Sequence, residues 1–419
     1  MHNHAELITL AQEYLYGNYS PAPIAMVRGR GCELFDADGR RWLDLCAGIA
    51  VCSLGHGHPA VAHAIAEQAS RLMHVSNYYY NEPNVLLAAE LCRRTGFAKA
   101  FFCNSGAEAN EALLKVARHY YFGRGEVGRV RVVAFENAFH GRTLGALSLT
   151  GTPKYREGFG PLGPVTHVPF GNADAVEEAM GSDVCAIVVE PVQGEGGVIA
   201  APPGFLARLR AIADSHGSLF LVDEVQTGIG RLGRFLGSDG TGAKPDAVAL
   251  AKGLGGGFPI GAMLTNGRLV DALPPGTHGT TFGGNPLASA TALAVLRAID
   301  DGGLIAAVAA KGAALASMLS KLVSDLPDVC ESARGEGLLQ GLVLRRGLNV
   351  RTLLPRFLDE GVLLSAAGER VLRFTPPLVV TLEELAEGVR AVEKILRQVR
   401  SREIPNSANI SPGSLRDGV

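Results

Sequence analysis

Residues 245–263 read PDAVALAKGLGGGFPIGAM. The stretch opens with small apolar residues, meets a single lysine at Lys252, and runs into four glycines within the next five positions. Apolar residues at successive positions mark a strand buried on both faces, as in a parallel sheet covered by helices. VRVVAF (130–135), CAIVVE (185–190) and SLFLVDE (218–224) have the same character. Helical stretches over 108–121 and 204–216 lie among these runs, and a further helix spans about 286–299. Strands alternating with helices predict an α/β domain with a mostly parallel sheet. Functional groups are then expected in the loops at the carboxyl ends of the strands.

Outside this middle region the pattern changes. Residues before about 60 read as short strands and turns. After 300 come a helix, GLLQGLVL (337–344), another helix, VLRFTPPLVV (371–380) and a last helix to about 402. The expected organisation is a large domain over 61–300 and a smaller α+β domain over 301–402 that also takes in residues 1–60. The polar tail 403–419 is expected to be disordered.

Composition narrows the function. The 419 residues are 47% hydrophobic with a formal net charge of −2, enough for a large core and too balanced for nucleic acid or a membrane surface as the main partner. The sequence reads as having no apolar run near the roughly 20 residues of a membrane span, and its N-terminus lacks the basic start and apolar core of a signal peptide. The 7 cysteines are scattered, with no C-x-x-C pair, and read as reduced thiols in a cytoplasmic protein.

Lys252 is one of only eight lysines. A solvated loop lysine is the plain alternative. The sharper reading is an amine in an enclosed, partly apolar site, where its pKa falls and it can act as nucleophile, base or Schiff-base former. A phosphate-binding P-loop needs its lysine after the glycines, followed by Ser or Thr, and no such sequence occurs. Without one, LFLVDE carries little weight as an ATPase magnesium strand.

A Schiff-base lysine needs a carbonyl, which pyridoxal phosphate supplies in enzymes built around it. Each part of such a site has a candidate. In CNSGAEANEALLKVARHY a short strand ends at Ser105-Gly106-Ala107 and a helix follows, offering free N–H groups to a phosphate. Asp223, at the end of an apolar strand, can pair with a protonated ring nitrogen. Gln226 can hydrogen-bond a ring oxygen, and Phe139 can stack on the ring. His140 reads as structural or ring-adjacent. His56 and His58 have metal-like spacing but no ligand cluster around them, so no metal is expected, and they read as a turn into a helix near Pro59.

Together SGAEANEAL, FENAFHGRT, EPVQGEGGV, LVDEVQTGIGR, AKGLGGGFPIGA and TTFGGNPLA, in this order, resemble the class III pyridoxal-phosphate aminotransferases, above all the branch acting on N-acetylornithine. The resemblance covers about 22–397. It implies the aspartate-aminotransferase (type I) fold, with a mostly parallel seven-stranded sheet in the large domain. It also implies a homodimer with shared active sites and pyridoxal 5′-phosphate as cofactor. Lys252 would form the Schiff base and Asp223 would face the ring nitrogen. Phe139 would stack on the ring, and Ser105, Gly106 and Ala107 would hold the phosphate. Thr281, with Thr280 beside it, would reach the phosphate in the other subunit. The implied reaction moves the terminal amino group of N-acetylornithine to 2-oxoglutarate, a step of arginine biosynthesis. Arg142 would be the far carboxylate anchor and Arg373 the near one, gated by Glu195. Ile49 stands where ornithine-specific relatives carry a tyrosine, and an apolar residue suits an acylated nitrogen. Succinylated donors, ornithine, 4-aminobutyrate and glutamate semialdehyde remain as alternatives.

Overall fold

The computed structural model describes residues 4–403, so the tail expected to be disordered lies outside the described residues except at Glu403. The strands in chain order begin with Met26–Arg30 (β1), Glu33–Asp36 (β2) and Arg41–Asp44 (β3). Next come Lys99–Cys103 (β4), Arg131–Phe135 (β5), Val165–Val168 (β6), Val184–Val189 (β7) and the short pair Val192–Gln193 (β8) and Ile199–Ala200 (β9). Leu219–Asp223 (β10), Ala247–Leu250 (β11) and Gly261–Thr265 (β12) complete the middle of the chain. The last group is Cys330–Glu336 (β13), Leu339–Leu344 (β14), Val362–Leu363 (β15), Ser365–Ala367 (β16) and Val371–Phe374 (β17).

A seven-stranded sheet runs in the order β4-β12-β11-β10-β7-β5-β6. Only β12 opposes its neighbours; the other strands share one direction. Every residue of β7, β10 and β11 is buried, which explains their unbroken apolar sequences. Because the strands are parallel, Asn104, Glu136, Glu190, Glu224 and Ala251, which follow β4, β5, β7, β10 and β11, emerge along the same edge. The helices Gly106–Phe122 and Phe205–Ser215 are as anticipated to within two residues.

The two ends of the chain meet in a second sheet, β1-β2-β3-β15, where β15 lies parallel to β3. A third, antiparallel sheet has the order β13-β14-β17-β16. Two expectations need correction. The region before residue 60 is not only strands and turns, since His4–Tyr14 is a helix with no buried residue; its Ala, Glu, Leu and Gln favour helix without any core contact. The helix Leu304–Asp325 is long and apolar enough, by length and composition, to span a bilayer. Its Val308, Gly312, Leu315, Leu319 and Leu322 form a buried stripe, the spacing of a helix packed by one face.

Candidate active site

Along the common strand edge lies a cavity of about 430 Å³, within the roughly 300–1,000 Å³ usual for small-molecule sites. Lys252 lines it, two residues past β11. Its backbone is left-handed (φ 43°), a conformation that costs a non-glycine residue about 1–2 kcal/mol. The turn is held by Leu254 N–H donating to Ala251 O (2.9 Å), Gly255 N–H to Lys252 O (3.1 Å) and Ser53 Oγ to Gly253 O (3.0 Å). The glycines do more than leave space. A Cβ on Gly255 would fall 1.9 Å from the Phe258 carbonyl oxygen, so the chain could not turn back there with a side chain. Burial pushes the Lys252 amine down to about 8, with Glu195 opposing and Arg373 assisting.

Asp223 ends β10, buried. Its Oδ2 accepts from Asn110 Nδ2 and pairs with His140 Nδ1, both at 2.7 Å, and its Oδ1 accepts from Val225 N–H at 2.9 Å. The Asp223 hydrogen bond raises the pKa of His140 against the effect of its burial. Asn110 Oδ1 and His140 Nε2 are buried with no partner among the described residues.

Ser105 caps the helix Gly106–Phe122, its Oγ accepting from Glu108 N–H at 3.2 Å, while Glu108 reaches back to Asn104 N–H at 2.5 Å. This is a variant of the reciprocal capping box. It orders the first turn and leaves the leading N–H groups facing the cavity end lined by Ser105, Gly106 and Ala107. A Cβ on Gly106 would sit 2.7 Å from Val225 Cγ1, so glycine lets the helix start close to the loop after Asp223. Phe139 lines another wall and donates its N–H to Glu190 Oε2 at 3.2 Å.

The anion-binding candidates divide. Arg373, on β17, is 1% exposed. Its Nη1 donates to Glu195 Oε1 (2.5 Å), Gly194 O (3.0 Å) and Gln226 Oε1 (3.2 Å), and Gln226 Nε2 lies 3.4 Å from Glu195 Oε1. Burial works against ionisation of Glu195, yet Arg373 and Lys252 hold its pKa below the ordinary value. Gln226 also lines the cavity; its Oε1 accepts from Arg373 and one amide N–H meets Glu195, which leaves the second N–H as a donor. Arg142 lines the cavity from an exposed position. Ile49 is not brought to the cavity wall: it is 44% exposed on a left-handed turn, and Val51 lines the wall instead. Thr280 Oγ1 accepts from Asn104 Nδ2 at 3.1 Å, while Thr281 is exposed and outside the lining.

Sequence reasoning passed over Asn110, Val225 and Glu190, all of which line the cavity. Glu190 follows the apolar run of β7 just as Asp223 closes that of β10, so the same signal was present. Burial pushes its carboxyl pKa up.

The model for "Aminotransferase class-III" matches residues 14–396. The chain belongs to the class-III aminotransferases. It is 48% identical over 381 residues to an acetylornithine aminotransferase of Myxococcus xanthus, covering 90% of this chain and 94% of that protein. With an acetylornithine/succinyldiaminopimelate aminotransferase of Photorhabdus laumondii it shares 41% over 384 residues, 91% and 95% of the two chains. Among solved structures, an ornithine aminotransferase from Toxoplasma gondii superposes with TM-score 0.91 at 32% identity, covering 96% of each chain. An N-acetylornithine aminotransferase from Stenotrophomonas maltophilia gives 0.81 at 35% identity, with 94% and 99% covered.

Class-III aminotransferases use pyridoxal 5′-phosphate, and the cavity of this aminotransferase fits that group. It offers N–H donors of a helix start for a phosphate, a buried carboxylate for a ring nitrogen, an aromatic wall and a lysine amine of lowered pKa. Among the described residues no set of His, Cys, Asp and Glu is grouped to hold a metal ion.

Proposed function

We propose that this aminotransferase transfers the terminal amino group of N2-acetylornithine to 2-oxoglutarate, giving N-acetylglutamate 5-semialdehyde and glutamate. The observation that carries this reading is a pair of arginines in opposite states: Arg142 lines the cavity and, among the described residues, has no hydrogen bond or ion pair, whereas Arg373 lies behind the lining residue Gln226, buried and neutralised by Glu195. An ω-amino donor has one carboxylate far from its reacting carbon and needs one exposed anchor. Glutamate and 2-oxoglutarate also carry a near carboxylate and need a second, which Glu195 conceals until it is displaced. A planar guanidinium suits both tasks because it grips a carboxylate two-pronged.

Ser105, Gly106 and Ala107 would hold the cofactor phosphate, Phe139 would cover one ring face and Asp223 would hold a proton on the ring nitrogen. His140 and Asn110 orient Asp223 through its Oδ2. Pyridoxal phosphate, when bound, supplies the electron sink that lets a proton leave the carbon bearing the donor nitrogen. Lys252 Nζ would take that proton as a positioned base and would deliver it to the cofactor carbon that keeps the amino nitrogen. Its lowered pKa leaves a usable fraction neutral near pH 8.

Exposed apolar side chains at Leu72, Met73, Tyr78, Tyr79, Tyr80 and Phe282 support a homodimer in which Thr281 reaches the partner's cofactor phosphate, with Thr280 placed by Asn104. A cytoplasmic location completes the reading. The substrate is tested by comparing N-acetylornithine, N-succinylornithine, ornithine and 4-aminobutyrate as donors. The highest kcat/KM for N-acetylornithine is expected, and a preference for ornithine or 4-aminobutyrate would overturn the assignment.

A further inference from the structure

Arg142 is held in an unusual way for a cation at a cavity. Among the described residues no hydrogen bond or ion pair engages it. Its guanidinium carbon lies 3.9 Å from the ring centroid of Tyr155 and 5.6 Å from that of Phe139. The two rings meet edge to face, 6.0 Å apart at 87°. Arg142 and Phe139 line the cavity and Tyr155 does not, so Tyr155 stands behind the arginine.

Tyr155 is itself fixed to the sheet. It sits on the single turn Pro153–Arg156, and Tyr155 N–H donates to Thr152 O at 3.1 Å. Next to it, Arg156 Nη1 donates to His167 Nδ1 at 3.3 Å, and His167 Nε2 donates to Leu149 O at 3.2 Å. These two contacts require one neutral tautomer of His167. Burial, helped by the Arg156 charge, pushes its pKa down to about 4, which keeps it in that form. His167 belongs to β6, the outer strand of the seven-stranded sheet. Packed contacts therefore lead from the sheet through His167 and Arg156 to the turn bearing Tyr155, and so to Arg142.

A ring attracts a guanidinium through its face and leaves the N–H edge of the planar fork free. The stack restricts the arginine rotamers before any anion arrives, so less conformational freedom is lost on binding. A carboxylate partner would restrict Arg142 equally well but would occupy the edge that substrate needs.

We propose that Tyr155 is a positioning residue for substrate binding: its ring holds Arg142 with the fork open toward the carboxylate of either substrate. This rests on Arg142 being the carboxylate anchor of the proposed function. The effect belongs to KM for both substrates and not to kcat, because Tyr155 lies outside the cavity lining and meets it at Arg142 and Phe139, not at the lysine.

Steady-state kinetics of the holoenzyme with N-acetylornithine and 2-oxoglutarate test it. Tyr155→Leu and Tyr155→Met, which remove the ring, are expected to raise both KM values roughly three- to ten-fold with kcat held within about two-fold. Tyr155→Phe keeps the ring and should stay within about two-fold of the parent in both parameters. Two ring-deleting variants are specified so that either one, if folded, decides the matter. Unchanged KM values in them, beside a large KM increase in Arg142→Ala, would overturn the role of Tyr155 and leave Arg142 as the anchor. Unchanged KM values in Arg142→Ala would overturn the anchor reading itself. A loss in kcat alone would also reject the proposal.

Discussion

At the scale of single residues, Lys252 combines a strained backbone with a displaced pKa. An amine titrating at about 8 is roughly a quarter neutral at pH 7.5, against about 0.1% for an ordinary lysine. Only the neutral amine is a nucleophile or base, so the sign is fixed: the rate of pyridoxal phosphate uptake by apoprotein should climb as pH rises through about 8 and level off above it. Stopped-flow absorbance would follow this, and a rate flat between pH 7 and 9 would contradict the lowered pKa. Borohydride treatment of the holoenzyme should leave the cofactor on the Lys252 peptide alone, and Lys252→Ala should abolish turnover while phosphate binding survives. Arg373 supports a second expectation. Arg373→Ala should impair the glutamate and 2-oxoglutarate half-reaction far more than the N-acetylornithine half, measured in single turnovers. Equal losses in both halves would leave the Arg373–Glu195 contact a structural pair only.

At the scale of elements, the least ordinary piece is the turn at Ala47–Ala50. Ala47, Gly48, Ile49 and Ala50 all have positive φ, from 50° to 66°, which costs each non-glycine residue about 1–2 kcal/mol. Asp44, at the end of β3, holds it from below. Its Oδ1 accepts from Cys46 and Ala47 N–H, each at 2.8 Å, and its Oδ2 pairs with His56 Nε2 at 2.7 Å. Thr375 Oγ1 adds a bond to Cys46 O at 2.9 Å. The His56 pKa rises from 6.5 to about 9, chiefly through its hydrogen bond with Asp44. A histidine with a raised folded-state pKa stabilises fully below its unfolded value and loses that contribution as pH rises through the folded value. The melting-temperature gap between the parent and Asp44→Asn should therefore be widest near pH 6 and narrow toward pH 9. A gap independent of pH would show that Asp44 acts only through its backbone bonds.

At the scale of the whole molecule, an exposed loop lies beside the cavity, joined to its lining residue Asn104 by the bond from Asn104 Nδ2 to Thr280 Oγ1 at 3.1 Å. Thr281 and Phe282 are exposed on that loop, with the His74 ring 5.2 Å from that of Phe282, and Asn77 Nδ2 ties the loop to residues 76–78 through Thr280 O (3.0 Å) and Gly283 O (3.3 Å). The neighbouring Tyr78, Tyr79 and Tyr80 are among the most exposed large apolar residues. An exposed apolar patch of this kind marks an interaction surface. In a dimer with shared sites, Thr281→Ala should weaken cofactor retention by about 1.5–3 kcal/mol, the value of one hydrogen bond to a charged group. Equilibrium dialysis against pyridoxal phosphate measures this, and sedimentation beside activity on dilution tests the dimer. Full activity from a monomer would reject the shared site.

The chain sequence alone was enough for the elements whose pattern is local. Unbroken apolar runs disclosed β5, β7, β10 and β11, because a strand buried on both faces has no polar position to interrupt it. Lys252 and Asp223 stood out as charged residues at the ends of such runs. The half-buried β13, CESARGE, escaped because its sequence has no apolar period, and β15 because two residues carry no pattern at all. What only the tertiary structure decided are the meetings of distant residues. Arg373 reaches Glu195 and Gln226 because β17 packs beside the loops of another sheet. Ser53 steadies the turn after Lys252 from two hundred positions away, and Tyr155 comes to lie under Arg142 through its tie to β6. Periodicity reports how one segment meets solvent, whereas these contacts depend on sheet order and packing, to which no single segment is sensitive.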